Sequence, residues 1–335
     1  MKKVAINGFG RIGRLVLRRI LEASDTIEVA VINATVEADL LAYLFKYDST
    51  HGVFKGEVHA EDEAIVINGK AIPVRKERDA SNLIWSDYGV DIVLDCTGAY
   101  SSVEKAQVHL DNGAKKVLLS SPGKGEMRTV VYGVNHETIE PTDRVISNSS
   151  CTTNCLAPMA KVLNDNYGIK TAILKTIHAY TANQQLQDKA DKKGDWRRGR
   201  AAAVSIVPTT TGAARMIGKV IPELDGKIDG SALRIPVLDG SITQLTCVLE
   251  KKTTVEEINA AMKAAANECY GYTEDPIVSA DIVSSEAGGI FDATLTSLVE
   301  VDGNQLFEVN AWYDNEYGYT CQLVRTLEYI AEITD

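Results

Sequence analysis

The stretch Lys3-Val-Ala-Ile-Asn7, followed without a break by Gly8-Phe-Gly-Arg-Ile-Gly13, decides the fold. Its first five residues read as a buried strand. Arg14 to Ala23 then carries Leu15, Val16 and Ile20 at helical spacing, so a G-x-G-x-x-G sequence lies between a strand and a helix. In that setting Gly8 permits the tight turn, Gly10 lets a pyrophosphate approach the backbone, and Gly13 lets helix and strand pack closely. The pattern predicts a dinucleotide-binding unit with the pyrophosphate at the helix start. The next strand, Ile27 to Ile32, runs into Asn33-Ala34-Thr35, where an acid would ordinarily grip the ribose 2′-hydroxyl. Asparagine hydrogen-bonds a hydroxyl without repelling a 2′-phosphate. NAD and NADP are therefore both open as cofactors, and Asn33→Asp is expected to move preference toward NAD.

The α/β pattern continues outward. Asp91-Ile-Val-Leu-Asp95 and Lys116-Val-Leu-Leu-Ser120 are strand-like, with a helical stretch from Val103 to Leu110 between them. Short alternating segments between residues 52 and 75 predict antiparallel strands inserted into the doubly wound sheet. Later come extended runs over Ile242 to Lys251 and Leu306 to Trp312, a helix over Val255 to Cys269 and a closing helix over Tyr319 to Ile333. The expected class is α/β: an N-terminal Rossmann-type doubly wound sheet, then an α+β catalytic domain with a largely antiparallel sheet. The motifs divide the chain into a nucleotide domain over 1–150, completed by a C-terminal helix over 316–335, and a catalytic domain over 151–315.

The whole chain limits what such a protein does. With 335 residues there is room for two cores. A hydrophobic share of 45% with 24% charged residues is a globular composition, and no apolar run reaches membrane-span length. The formal charge of −11 argues against nucleic acid and anionic lipid as partners. The chain enters a strand at once where a signal peptide would carry an apolar core, and its six cysteines show neither disulfide nor metal-site spacing. The expectation is a cytoplasmic protein without a metal.

Ser147-Asn-Ser-Ser-Cys-Thr-Thr-Asn-Cys155 brings the chemistry. Cys151 stands among hydroxyls at the start of a helix predicted over Thr152 to Tyr167, with Gly168 as its stop. The positive end of the helix dipole favours thiolate, the nucleophilic form; the plainer alternative is a small buried residue in a capped turn. His178 ends the strand-like Ile173-Leu-Lys-Thr-Ile-His-Ala-Tyr-Thr181. Imidazole beside a thiol is its usual activator, while alone it is more often structural. Arg234, within Leu233-Arg-Ile-Pro236, needs a carboxylate or an anionic substrate group. Thr209-Thr-Thr-Gly-Ala213 precedes a helical stretch and serves either as a cap or as a phosphate cradle. The irregular segment Gln184 to Arg200 carries Lys189, Lys192, Lys193, Arg197, Arg198 and Arg200, a basic loop in an acidic protein.

Taken together these residues resemble one family, the phosphorylating glyceraldehyde-3-phosphate dehydrogenases. The matching stretches are Ile6-Asn-Gly-Phe-Gly-Arg-Ile-Gly-Arg14, Tyr47-Asp-Ser-Thr-His-Gly52, Ser147 to Cys155 and His178-Ala-Tyr-Thr181. Pro208-Thr-Thr-Thr-Gly-Ala-Ala214, Leu233-Arg-Ile-Pro236 and Ala311-Trp-Tyr-Asp-Asn-Glu-Tyr-Gly-Tyr319 complete the set. The resemblance implies Cys151 as nucleophile and His178 as general base. It implies Thr181 and Arg234 at the phosphate of glyceraldehyde 3-phosphate, and Ser150, Thr152, Thr211 and Gly212 at inorganic phosphate. The implied cofactor contacts, beside the glycines, are Arg11, Ile12, Asn33, Arg78, Ser120 and Asn315. It implies a homotetramer in which the basic loop reaches a neighbouring subunit's cofactor. Two departures stand out. Asn33-Ala34 replaces the usual Asp at the ribose, which resembles members that work with NADP, and Ala190-Asp-Lys-Lys-Gly194 in the loop differs from the common sequence. A sister enzyme oxidising erythrose 4-phosphate, or a binding protein on the same scaffold, is the alternative.

Overall fold

A computed structural model describes residues 1–191 and 194–334; Lys192 and Lys193 of the basic loop lie outside the described residues. They divide into two compact units, one built from 1–132, 136–149 and a C-terminal segment beginning at Leu323, the other from 133–135 and 150–322. The division falls inside the last helix, Tyr317–Glu332.

In the first unit the described residues form a nine-stranded sheet. Its order is Arg128–Thr129, Val145–Ser147, Lys116–Leu119, Ile92–Asp95, Lys2–Asn7, Ile27–Asn33, Lys70–Arg75, Ala64–Ile67 and Val58–Glu61. Pairing is parallel as far as Lys70–Arg75 and antiparallel over the last two strands, so the alternating segments extend one edge of the doubly wound sheet. The central strands are apolar on both faces, as parallel strands must be: Val4, Ala5, Ile6, Val93, Leu94, Val117 and Leu118 are fully buried. A cluster that includes Trp85, Val90, Ala106 and Leu119 covers one face. From Lys2–Asn7 the chain leads to Ile27–Asn33 on one side, while Ile92–Asp95 lies on the other. The carboxyl ends of these strands form the crevice where such sheets bind ligands.

In the second unit the described residues form an eight-stranded sheet in the order Val207–Thr210, Ile228–Ile235, Ile169–Ala179, Ser241–Leu249, Asn304–Tyr313, Gly289–Asp292 and Tyr270–Thr273, with Ser297–Val301 paired beside Asn304–Tyr313. It is mostly antiparallel, but Ile169–Ala179 and Ile228–Ile235 run parallel, as do Tyr270–Thr273 and Gly289–Asp292. The helix Cys151–Tyr167 packs on this sheet and ends at Gly168, whose φ of 71° suits a residue without a Cβ. It begins at Cys151 because Ser150 is the cap: Thr153 N–H donates to Ser150 Oγ. The helix expected to reach Cys269 stops at Ala265. There Asn267 Oδ1 accepts from the Cys269 and Tyr270 amides and folds the backbone into a turn that competes with the helix.

Candidate active site

In the first unit a cleft of about 480 Å³ opens at the strand ends. Gly8, Gly10, Asn33, Ala34, Thr35, Glu77, Arg78 and Thr97 are among its lining residues. The glycines fit a dinucleotide on steric grounds. A Cβ at Gly13 would lie 2.2 Å from the Gly8 carbonyl oxygen, and one at Gly8, whose φ is 97°, would lie 2.8 Å from Thr97 Cγ2. A Cβ at Gly10 would meet nothing within 4 Å and would project into open space, which is where a pyrophosphate needs room. Arg11, Ile12 and Gly13 form the first turn of the helix Arg11–Ala23, where Arg11 is bidentate to Asp48. Ser120 follows the strand Lys116–Leu119, and its N–H donates to the Asp95 carbonyl.

Asn33 lines the cleft, yet its amide is engaged elsewhere. Nδ2 donates to Asn7 Oδ1 at 2.8 Å and to the Glu77 carbonyl at 2.9 Å, and Oδ1 accepts from Glu77 N–H at 3.0 Å. The expected exchange to aspartate therefore has a different meaning: a carboxylate here would set lone pairs against two acceptor oxygens in a site only 5% exposed. The neighbouring Ala34 presents a methyl at the cleft wall.

The second unit holds the thiol. Cys151 opens its helix, with Sγ 3.4 Å from His178 Nε2. His178 and Arg234 are register partners on the parallel strands Ile169–Ala179 and Ile228–Ile235, and Arg234 Nη1 lies 2.7 Å from His178 Nδ1 and 3.0 Å from the Ala179 carbonyl oxygen. Burial first, and Arg234 after it, push the His178 imidazole down to about 3 against the opposing Ala179 carbonyl; the ring is neutral at pH 7. Burial raises the Cys151 thiol, while Arg234 and the Thr152 amide pull it down. No such cation opposes burial at Cys96 or Cys247, whose thiols are pushed up to about 12, or at Cys155, which rises further. Cys155 is fully buried, one helical turn on, with Sγ near the Ala311 carbonyl. Among these thiols only Cys151 combines a helix start, an imidazole and a guanidinium.

The anion-seeking residues vary in their commitments. Arg234 Nε is buried without a hydrogen-bond partner, a donor aimed at nothing in the protein. Thr181 Oγ1 donates to Asn183 Oδ1. Ser150 Oγ accepts from Thr153 N–H and also meets the Thr153 hydroxyl. Thr211 Oγ1 accepts from Ala213 N–H and Gly212 stands as the cap of the helix Ala213–Val220, which packs against the helix of Cys151. Thr152 is buried, with its hydroxyl 3.0 Å from the Tyr313 hydroxyl. Asn315 Oδ1 accepts from Ser241 Oγ, which in turn accepts from Ala179 N–H.

Sequence reasoning gave Tyr313 and Ser241 no role. Tyr313 bridges Thr152 and Thr176 through its hydroxyl and sets its ring edge-on to His178 at 5.7 Å. Ser241 ties the residue after His178 to Asn315. The signal for Tyr313 was the stretch Ala311 to Tyr319, quoted for the resemblance; Ser241 had none.

Comparison with known proteins follows the same division. A family model described as glyceraldehyde 3-phosphate dehydrogenase, NAD binding domain, matches residues 2–103, and one described as the C-terminal domain of that enzyme matches residues 150–315. The chain is 58% identical to the glyceraldehyde-3-phosphate dehydrogenases of Clostridium pasteurianum and Clostridium acetobutylicum over 333 residues, 99% of each chain. It is 54% identical to the Streptococcus pyogenes serotype M1 enzyme of the same name over 332 residues, 99% of this chain and 98% of that one. The chain belongs to the glyceraldehyde-3-phosphate dehydrogenase family.

Proposed function

We propose that this chain is an NAD-dependent oxidoreductase that converts D-glyceraldehyde 3-phosphate and inorganic phosphate reversibly into 1,3-bisphosphoglycerate, with Cys151 as its nucleophile. The observation that carries the reading is the 3.4 Å approach of Cys151 Sγ to His178 Nε2 beside Arg234. Cys151 attacks the aldehyde carbon, and the oxyanion of the thiohemiacetal meets His178 and the helix-start amides. Arg234, with its unpartnered Nε, holds the substrate's own phosphate together with Thr181. A bound nicotinamide supplies the two-electron acceptor. The acyl group remains on Cys151 as a thioester, and inorganic phosphate at Ser150, Thr152, Thr211 and Gly212 releases it. Labelling with iodoacetate tests the nucleophile: a Cys151 rate above that of a free thiol supports the reading, and a rate no faster overturns it.

NADP use beside NAD is favoured by the cleft wall. Ala34 presents a methyl, Thr35 an exposed hydroxyl and Arg78 an exposed guanidinium without an ion pair among the described residues. None of the three repels a 2′-phosphate, and Arg78 attracts one. Initial rates with each cofactor test this. A homotetramer is supported by the second sheet, whose helix-free face exposes Ile173, Leu306 and, opposite Leu306, Val299. Sedimentation equilibrium decides it. Among the described residues no helix is long and apolar enough to cross a membrane.

A further inference from the structure

We propose that Asn33 acts on the cofactor through Arg78, as a clamp that fixes the segment after Arg75, and that Asn7 and Asp95 are the residues that orient the clamp. The inference rests on the reading of the first unit's cleft as a dinucleotide site.

The strands Ile27–Asn33 and Lys70–Arg75 pair over only two register positions, Ile32 with Val74 and Asn33 with Arg75, after which Ala34 N–H donates to the Arg75 carbonyl. Beyond that point the Asn33 side chain continues the ladder. Its Oδ1 accepts from Glu77 N–H and its Nδ2 donates to the Glu77 carbonyl, so one amide holds both backbone groups of one residue as a neighbouring strand would. Arg78 is the next residue and lines the cleft with Ala34 and Thr35.

A primary amide could be turned either way, and the buried neighbours decide which. The second hydrogen on Asn33 Nδ2 goes to Asn7 Oδ1. Asn7 is itself oriented because its Nδ2 donates to Asp95 Oδ2 at 2.7 Å, while Asp95 Oδ1 accepts from the Thr97 amide and hydroxyl. Asn7 and Asp95 are 1% exposed. A row of buried polar groups across three strand ends is unfavourable unless every member is satisfied; here Asn33 donates to Asn7 and Asn7 to the Asp95 carboxylate, which leaves Asn33 one N–H and its oxygen for the Glu77 peptide. The row places a backbone segment, and with it a cation, at the wall where a dinucleotide's ribose would lie.

The test measures binding directly, by calorimetric titration of NAD and NADP into the wild type, Asn33→Ala, Asn33→Ser, Arg78→Ala and the double variant Asn33→Ala with Arg78→Ala. The clamp predicts that Asn33→Ala and Asn33→Ser each weaken NADP by about tenfold or more, and NAD by less, because the extra phosphate leans most on a placed cation. It predicts that the double variant is no weaker than Arg78→Ala alone, and that the loss in steady state falls on the cofactor KM far more than on kcat. Additive losses in the double variant, or Asn33 variants that bind as the wild type does, overturn it. If the variants do not fold, hydrogen exchange on the cofactor-free wild type decides: a protected Glu77 amide supports the clamp and a freely exchanging one overturns it. Failure of the wild type to bind either dinucleotide would instead overturn the reading of the cleft.

Discussion

Arg234 Nη1 lies 2.7 Å from His178 Nδ1, and the two residues face each other in register across parallel strands. The Ala179 carbonyl oxygen lies 2.8 Å from the same Nδ1, so a donor and an acceptor meet one ring nitrogen of a neutral imidazole whose Nε2 faces the sulfur. Arg234 Nη1 also donates to the Ala179 carbonyl at 3.0 Å, so the guanidinium and the ring share one backbone oxygen. One arginine thereby braces the imidazole, offsets part of the upward push of burial on the Cys151 thiol and retains an unpartnered Nε.

Arg234→Leu removes the cation that pulls the Cys151 thiol down, so that thiol rises and less thiolate is present at pH 7. Alkylation of Cys151 by neutral iodoacetamide is expected to slow by about tenfold, the size of one opposing charge in a partly buried site. The pH profile of that rate should move to higher pH, and the KM for aldehyde should rise more than the KM for cofactor.

Replacing His178 by Asn removes the proton-handling group 3.4 Å from Sγ. Turnover is expected to fall by about 10² to 10⁴, the usual worth of a positioned acid or base, with cofactor affinity unaltered. Stopped-flow absorbance of the reduced cofactor together with calorimetric titration checks both parts.

At the cofactor, Ala34→Asp places a carboxylate on the cleft wall beside Arg78. Preference is expected to shift toward NAD by about tenfold or more through repulsion of a 2′-phosphate and a new bond to the ribose hydroxyl. The ratio of kcat/KM for the two cofactors measures it; an unchanged ratio would place selection elsewhere.

His109 is fully buried, with Nδ1 accepting from Trp85 Nε1–H and Nε2 lying 3.9 Å from Asp95 Oδ2. Burial pushes its imidazole from 6.5 down to about 4. The folded state thus binds fewer protons than the unfolded chain between those values, and stability falls as pH drops through that window. At its acid end the loss approaches about 3 kcal/mol. The melting temperature should be level above pH 7 and decline below pH 6.5, and His109→Gln, which retains an acceptor for Trp85, should flatten the decline. An unchanged slope in the variant would assign the acid loss to other groups, His178 among them.

Much of this was legible locally. Gly8, Gly10 and Gly13 announce their strand–turn–helix because the steric demand and the residues that meet it lie within one short stretch. Cys151 is legible for the same reason, since its helix start is written in its neighbours. What was hidden is what distant strands bring together. The contact between His178 and Arg234 depends on a parallel pairing inside a mostly antiparallel sheet, which no periodicity reports. The bonds of Asn33 were hidden because its partners, Asn7 and Glu77, come from other parts of the chain. A polar residue at a cleft wall resembles a ligand contact until the groups behind it are seen. Likewise the Ser150 hydroxyl caps its helix and the Thr211 hydroxyl closes a turn, roles that one sequence pattern shares with phosphate binding.

The central claim is that the acyl group rests on Cys151 and that phosphate is needed to remove it. The direct measurement mixes the protein with glyceraldehyde 3-phosphate and NAD in phosphate-free buffer, follows reduced cofactor in a stopped-flow instrument and weighs the Cys151 peptide. The account predicts a burst equal to the concentration of Cys151, an acyl adduct on that peptide, and resumed turnover when phosphate is added. Sustained turnover without phosphate, or a burst that leaves Cys151 unmodified, would contradict it.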